Sequence, residues 1–341
     1  MTAIVYGHAT RAVPLVAPIY LKQLGVALFL FATGFTLARE TRPSAEALVR
    51  RLFQLWIFGF VFAAAMTVAG AANGTGLALS NFLPLAGGAN VVFDNFPANP
   101  TTWYLGTYLH LLVIWAVWLR RVRVRTWMVV AAVAIEIPIR ALLIASSGRY
   151  VAYMLHTNYA SVFLLGLARG AEESDQLKGS PVPYVAAGIG GVALWAAAMR
   201  WLPYELTIPF MTLRGWPPAV GTIVVSAGVS AAYLGGALAV FAATRRMEAP
   251  APVRFVARNT AIIFLAHMPV VLALHPVLLA WHVSYPARVV IQLAISIFGL
   301  AAVSEGIWLI MPHFDHSMLP GMRGRRGRAV ASAPPLMGST R

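Results

Sequence analysis

The stretch Trp127-Met-Val-Val-Ala-Ala-Val-Ala-Ile-Glu-Ile-Pro-Ile-Arg-Ala-Leu-Leu-Ile-Ala-Ser146 decides the class of fold. It carries only two charged residues, and a helix of about 20 apolar residues is long enough to cross the hydrocarbon core of a bilayer. Similar runs recur along the chain, in which 59% of the 341 residues are hydrophobic and 11% are charged. A soluble domain of this length carries about a quarter charged residues. The sequence therefore predicts an all-α, polytopic integral membrane protein.

Nine segments are long and apolar enough to be predicted as full membrane spans. They are residues 23–38, 52–72, 102–119, 127–146, 152–169, 182–202, 218–243, 259–280 and 288–311. The fifth is interrupted by His156, Thr157 and Asn158, so we expect it to line a polar interior or to be partly re-entrant. Residues 1–312 then form one transmembrane domain, and the basic tail 313–341 has a composition typical of disordered segments.

The basic residues are concentrated in alternate loops. Nineteen of the 26 lysines and arginines lie in one set of loops and in the tail. The opposite set contains only Arg11, Lys22, Arg149 and Arg214. By the positive-inside rule the first set is cytoplasmic. We therefore predict a multi-pass protein of the plasma (inner) membrane whose basic loops and C-terminus face the cytoplasm.

The composition also excludes several kinds of partner and site. A net charge of +15 could indicate nucleic acid, but its short clusters between spans are those of a membrane protein, so we expect no nucleic-acid partner. The chain has no cysteine, which excludes a thiol nucleophile, disulfides and cysteine metal ligands. His313 and His316 favour an interfacial polar cluster over a metal site. We predict neither a metal nor a bound cofactor.

The first ten residues, Met1-Thr-Ala-Ile-Val-Tyr-Gly-His8-Ala-Thr10, form an apolar segment too short to cross a bilayer. The loop after it belongs to the outer set, so the segment leads outwards. It therefore predicts the outer half of an N-terminal tenth helix. We expect either that translation begins upstream of Met1 or that half a helix has been lost.

Two histidines inside predicted spans are candidates for chemistry, because ionisable groups within a membrane are costly and commonly functional. His8 could act as a general base, since the ordinary pKa of histidine, about 6.5, lies near operating pH. Alternatively, it is a polar residue at a helix end that water satisfies. His267 precedes Pro269, which loosens the helix and can expose backbone carbonyls. A structural histidine bonded between helices is equally compatible with that position, and His110 is better explained in that way.

The charged residues within or beside the spans have competing explanations. Glu136 and Arg140 are four residues apart on one helix face, which favours a structural ion pair. Glu305 could pair with a basic group on another helix or orient a histidine. Arg50 and Arg51, at the inner mouth of the second span, are either a topogenic pair, which is the favoured interpretation, or a clamp for phosphate oxygens.

Five segments, taken in order, resemble motifs of the acyltransferase 3 family of integral membrane acyltransferases. They are Val5-Tyr-Gly-His8, Leu28-Phe-Leu-Phe-Ala-Thr-Gly34-Phe-Thr-Leu37, Leu48-Val-Arg50-Arg51-Leu-Phe53, Thr102-Trp103-Tyr-Leu105 and Ile262-Ile-Phe-Leu-Ala-His267-Met-Pro269. The resemblance rests on all five motifs occurring in the family's order. The chain departs from the family in lacking the arginine that precedes the histidine on the first helix. It also has Gln54 and Thr33 where the family usually has arginine and serine.

The resemblance implies transfer of an acyl group, which we expect to be acetyl, from cytosolic acyl-CoA to a hydroxyl of a cell-surface or exported glycan. The acceptor could also be a lipid-linked glycan, and acyl-CoA (acetyl-CoA) is a co-substrate rather than a bound cofactor. The residue that matches the catalytic histidine is His8, and Arg50 and Arg51 match the basic motif near the phosphates of the donor. An acyl-enzyme on His8 is an alternative route.

Further residues are candidates for supporting this reaction. Thr33, Tyr104 and Asn158 could donate to the oxyanion, and His267 and Glu305 could support the catalytic histidine. Two other functions fit the same polar residues. One is a non-catalytic transporter or flippase of a lipid-linked glycan, and the other is a degenerate family member that scaffolds glycan assembly. Membrane lipids are expected partners in every case.

Overall fold

The computed structural model describes residues 1–10, 14–16, 19–39, 45–72, 82–93, 100–146, 148–176, 200–205, 209–244 and 247–311, together with residues 182, 186, 189, 190, 193 and 207. Helices dominate them, as predicted for an all-α membrane protein. Among these residues, four helices are long and apolar enough to cross a membrane. They are Thr126–Ser146, Pro218–Thr244, Thr260–Ala280 and Tyr285–Ile310. These four correspond to the fourth, seventh, eighth and ninth predicted spans.

The described residues up to 121 contain five helices. They are α1 (Thr2–Ala9), α2 (Leu21–Arg39), α3 (Ala45–Ala72), α4 (Phe82–Ala86) and α5 (Trp103–Val117), with 3₁₀ turns at Pro100–Thr102 and Leu119–Arg121. Between α1 and α2 a short antiparallel pair of strands, β1 (Pro14–Val16) and β2 (Ile19–Tyr20), reverses the chain. The all-α prediction did not include these strands.

From residue 126 onwards, eight more helices have both ends within the described residues. They are α6 (Thr126–Ser146), α7 (Arg149–Met154), α8 (Ala160–Gln176), α9 (Pro218–Thr244), α10 (Ala251–Arg258), α11 (Thr260–Ala280), α12 (Tyr285–Ala294) and α13 (Leu300–Ile310). A π turn, Ile295–Gly299, joins α12 and α13 into one long helical segment. A second antiparallel pair, β3 (Tyr204–Glu205) and β4 (Thr212–Leu213), precedes α9.

The fifth predicted span is broken where the sequence predicted an interruption. Helix α7 ends at Met154, a 3₁₀ turn covers His156–Asn158, and α8 begins at Ala160. The first three predicted spans correspond to α2, α3 and α5. The sixth, 182–202, lies largely outside the described residues, as does the whole of the basic tail with His313 and His316.

A buried ion pair holds this break in place. Arg140 binds Glu136 on the same helix, and both side chains are 1% exposed. Their other partners are the Asn158 side chain and carbonyl, the Ser226 carbonyl, the Ser230 hydroxyl and the Ser161 backbone N–H. The two charges are therefore compensated inside the protein, as burial away from water requires. The pair links α6 to the break, to α8 and to α9, in agreement with the structural role favoured by the sequence.

Helices α2 and α8 make the most extensive contact among the described elements. A Cβ atom added at Gly34 would collide with the carbonyl oxygen of Phe163, and one added at Gly166 would collide with that of Phe31. Gly170 repeats the arrangement one turn later. The Gly166-Leu-Ala-Arg-Gly170 spacing lets two membrane helices approach until their backbones touch. The sequence analysis did not identify this contact, because the spacing does not specify the partner helix.

The replacement Gly166→Leu should therefore separate α2 from α8. We expect the free energy of unfolding to fall by about 2–3 kcal/mol, since overpacking of a close contact forces the backbones apart. Gly306→Leu is the matched control, because nothing lies within 4 Å of a Cβ at Gly306. Reversible unfolding in mixed detergent micelles, followed by circular dichroism, measures both variants. Equal stability of the two would contradict this account of the contact.

Candidate active site

The short helix α1 brings His8 into the interior of the bundle. It packs against α2, α11, α12 and the π turn. A Cβ at Gly7 would lie 2.9 Å from the Cβ of Lys22, so the glycine lets α1 lie directly on the start of α2. On another face, Val5 is buried in a cluster with Ile263 and Ile297. These contacts set the position of α1 beside α11.

The structure brings His8 together with His267, although the sequence offered them as separate candidates. Their ring centroids lie 5.3 Å apart, with the ring planes inclined by 50°. His267 lies in α11 and is fully buried. Two imidazoles that are 259 positions apart in the sequence are therefore neighbours where α1 packs on α11.

The backbone of α11 determines which ring nitrogen of the neutral His267 carries the proton. Its Nδ1 atom lies 2.7 Å from the carbonyl oxygen of Phe264 and 3.2 Å from that of Ile263. Carbonyl oxygens only accept hydrogen bonds, so Nδ1 carries the proton of the neutral ring and donates it to the backbone. The Nε2 atom then has a free lone pair, and it is buried without a hydrogen-bond partner among the described residues. His267 thus presents a hydrogen-bond acceptor to the interior.

Pro269 has the effect on α11 that the sequence predicted. Proline lacks an N–H group, so the carbonyl of Leu265 loses the donor that a regular helix would provide. The hydroxyl of Thr101 donates to this carbonyl at 3.4 Å. The prediction that the proline exposes a backbone carbonyl is confirmed. The resulting bond connects α11 to the turn that begins α5.

Tyr104 of α5 is connected to this histidine pair through the ring of Phe264. Its ring centroid is 4.5 Å from that of Phe264, whose ring in turn lies 5.7 Å from His267. Phe29, in the phenylalanine-rich motif of α2, meets the other side of Tyr104 at 6.0 Å. Tyr104 is fully buried, and its hydroxyl has no hydrogen-bond partner among the described residues. This hydroxyl can therefore donate to a bound ligand.

The other two candidates for an oxyanion donor are engaged elsewhere. The Thr33 hydroxyl donates to the carbonyl of Phe29 at 3.0 Å, within its own helix. The Asn158 amide donates to the carbonyl of Tyr153 at 2.9 Å, and its oxygen accepts from Arg140. Of the three, only Tyr104 has a hydroxyl or amide group without a hydrogen-bond partner among the described residues.

Comparison with known proteins identifies the family. A family model described as an acyltransferase domain, acyltransferase 3, matches residues 1–305. The chain belongs to the acyltransferase 3 family. The match covers both histidines and Tyr104, and it extends from α1 into α13. No curated protein and no solved structure matches the chain.

In this acyltransferase 3 protein, Glu305 pairs with a basic side chain on another helix, which is one of its two predicted roles. Its Oε1 atom accepts from Arg258 Nε at 2.7 Å and from Asn259 Nδ2 at 2.8 Å. Asn259 is the N-cap of α11, about 12 Å from His267 at the helical rise of about 1.5 Å per residue. The carboxylate therefore secures the start of α11. Arg50 and Arg51 lie on α3, but their side chains are outside the described part of the structure.

The acyltransferase also contains a second histidine pair that the sequence did not reveal. The rings of His110 and His156 are 5.1 Å apart and nearly perpendicular, and the Nδ1 atom of each is buried without a hydrogen-bond partner among the described residues. The break between α7 and α8 places His156 against α5, and no sequence periodicity predicts that contact. Across the described residues, no group of three or more histidines and carboxylates could hold a metal ion.

Cross-linking can test the central pair, because the natural chain has no cysteine. The double variant His8→Cys/His267→Cys should be joined by a short bifunctional thiosulfonate reagent, since the two rings are in contact range. The control is His8→Cys/His275→Cys, whose second cysteine lies on the same helix about 12 Å further along. Intact mass spectrometry counts one bridging spacer in the first variant and none in the second. Equal cross-linking of both would contradict the placement of α1.

Proposed function

We propose that this acyltransferase transfers an acyl group, expected to be acetyl, from cytosolic acyl-CoA to a hydroxyl of a cell-surface or exported glycan. The observation that carries the proposal is the contact of His8 with the buried His267 in a chain of the acyltransferase 3 family. Acyl-CoA and a glycan or lipid-linked glycan are then the substrates, and no bound cofactor takes part.

The proposed topology follows from the same family and from the charge pattern. Nine full spans follow the outer half of an N-terminal tenth helix, in the plasma (inner) membrane. The basic loops and the C-terminus lie in the cytoplasm, where the donor is available. Arg50 and Arg51 then stand at the cytoplasmic end of α3, and their planar guanidinium groups suit the phosphate oxygens of CoA.

In the proposed reaction, His8 is the general base. It takes the proton of the acceptor hydroxyl while the hydroxyl oxygen bonds to the carbonyl carbon of the thioester. The carbon–sulfur bond then breaks, and the CoA thiolate leaves and takes a proton from the imidazolium of His8. The ester product and free CoA thus account for every atom and proton. A positioned base contributes a rate factor of about 10²–10⁴.

His267 acts in this proposal as a positioning residue behind His8. Its Nδ1 proton is bound to the backbone of α11, so only Nε2 is available, and only as an acceptor. An acceptor beside the base orients one N–H of His8 and leaves its other nitrogen for the substrate. The same lone pair stabilises the imidazolium of His8 after proton transfer.

Tyr104 supplies the proposed oxyanion donor. Its hydroxyl is buried without a hydrogen-bond partner among the described residues, and its ring contacts that of Phe264, which in turn contacts that of His267. A preorganised hydrogen-bond donor in a water-poor site stabilises the negative charge that forms on the oxygen of the thioester carbonyl. Removal of one such donor typically lowers turnover by about 10²–10³-fold.

Replacement of the histidines tests the proposal directly. His8→Ala should lower acyl transfer by at least about 100-fold, because the base is lost. His267→Ala should lower kcat by about 10-fold while KM for acetyl-CoA changes little. His110→Ala, in the second histidine pair, is the control and should retain activity. The measurement is transfer of radiolabelled acetyl groups from acetyl-CoA to envelope glycans in membranes. Full transfer by His8→Ala would reject the mechanism.

Tyr104→Phe tests the oxyanion donor, because it removes one oxygen and keeps the ring. We expect kcat to fall by about 100-fold, because the oxyanion donor is lost. The melting temperature should not change, since the hydroxyl makes no hydrogen bond to the described residues. Tyr108→Phe is the matched control, because its ring stacks on that of Tyr104 at 5.7 Å in the same helix. Equal activity of the two variants would show that Tyr104 is a packing residue only.

A further inference from the structure

A groove lies between α5, α6 and α8, and none of the residues named in the mechanism lines it. Its volume is about 310 Å³, and apolar side chains line almost all of it. Those that shape its walls include Trp118, Leu119, Trp127, Met128, Ile135 and Phe163. Polar groups occur at one end only, where Glu136, His156 and Thr157 contribute to the lining. Glu136 is already bound to Arg140, so this end provides no free carboxylate.

The groove opens sideways to the bilayer. Trp118 and Trp127 on its rim are 58% and 65% exposed, and Ile135 further along is 59% exposed. Large apolar side chains with this exposure on a membrane helix face lipid. Tryptophan is also the residue type that concentrates at the level of lipid headgroups. The rim tryptophans therefore mark the end of the groove that lies near the membrane surface.

Four arginines lie at the end of the groove that carries the tryptophans: Arg120, Arg121, Arg123 and Arg125. The connector from Arg120 to Arg125 joins the two walls, since Leu119 precedes it and the helix α6 follows it. Its arginines are exposed, and no ion pair recorded among the described residues involves them. Val124, 7% exposed, points into the core and secures the connector. The charged end of the groove is thus held in a fixed place.

The length of the groove matches one leaflet of a bilayer. From Trp127 to Ile139, which both line the groove, the wall helix advances about 18 Å, at a rise of about 1.5 Å per residue. The hydrocarbon core of a bilayer is about 30 Å thick, so one leaflet contributes about half of that. A chain that starts at the arginines would therefore end near the midplane, beside Glu136 and His156.

We propose that this groove binds one anionic phospholipid, with its phosphate on the arginines of the 120–125 connector and one acyl chain along the walls. The positive charge at one end, the apolar lining and the lateral opening each match a part of that molecule. The pantetheine arm of CoA fits less well, because its amide groups would find few hydrogen-bond partners along such walls. The site is independent of acyl transfer and shares no residue with the proposed catalytic groups.

Quenching of tryptophan fluorescence by brominated lipid tests the proposal. The full chain is placed in phosphatidylcholine nanodiscs that contain a small fraction of either brominated phosphatidylglycerol or brominated phosphatidylcholine. The quenching that disappears in Trp118→Phe/Trp127→Phe reports the groove. We expect brominated phosphatidylglycerol to quench this component at least about fivefold more effectively, since each basic residue near the surface favours anionic lipid. Equal quenching by both lipids would overturn the proposal.

Two pairs of matched variants separate the headgroup contact from the chain contact. Arg123→Gln/Arg125→Gln should abolish most of the preference, whereas Arg245→Gln/Arg246→Gln removes the same charge elsewhere and should keep it. Ala132→Phe fills the groove and should abolish the preference with every arginine present. Ala134→Phe, on the same helix but outside the lining, should not.

The remaining outcomes count against the site. Equal losses in the two arginine variants would show that general surface charge attracts the lipid. An unchanged preference in Ala132→Phe would show that no chain enters the groove. Displacement of the lipid by soluble CoA would assign the arginines to the acyl donor instead. Because His8→Ala should bind the lipid normally, failure of this proposal and failure of the proposed reaction are distinguishable.

Discussion

The structure depends on compensation of the buried charges on α6. Inside a bilayer an ion must find its partners within the protein. Arg140 and Glu136 find theirs in the break between α7 and α8 and on α9. That anchorage sets where α8 begins, and the glycines of α8 then set the position of α2. Helix α2 packs against α1, so the position of His8 follows from charges on a distant part of the chain.

The polar groups of the α6 network and those beside His8 differ in how they are satisfied. Arg140 and Glu136 use their hydrogen-bonding capacity on one another and on neighbouring helices, which fits a structural pair. The Nε2 atom of His267 and the hydroxyl of Tyr104 are buried without a hydrogen-bond partner among the described residues. A buried polar group left unpaired destabilises the fold by about 1–3 kcal/mol. In the proposed reaction this cost is recovered when Nε2 of His267 accepts from His8 and the Tyr104 hydroxyl donates to the thioester carbonyl, which is why we place the reaction there.

Those parts of the site that depend on one helix could be predicted from the sequence. The interruption at His156–Asn158, the pairing of Glu136 with Arg140 and the effect of Pro269 all follow from local composition. The contact of His8 with His267 could not be predicted from spacing, because the periodicity of one helix does not specify which other helix packs against it. The same limit explains why Thr33, Tyr104 and Asn158 were equal candidates, since only tertiary hydrogen bonds distinguish them. The count of nine spans and the roles of Arg50 and Arg51 stay predictions.

The four-residue spacing of Glu136 and Arg140 has a consequence for biogenesis. A membrane protein is inserted from its N-terminus, so α6 enters lipid before α8 and α9 supply Ser161, Ser226 and Ser230. During that interval the two side chains can neutralise each other on a single helix turn. The segment thus brings its own counter-ion into the bilayer. Insertion of α6 into the membrane therefore does not require the prior insertion of α8 and α9, which later complete its hydrogen-bond network.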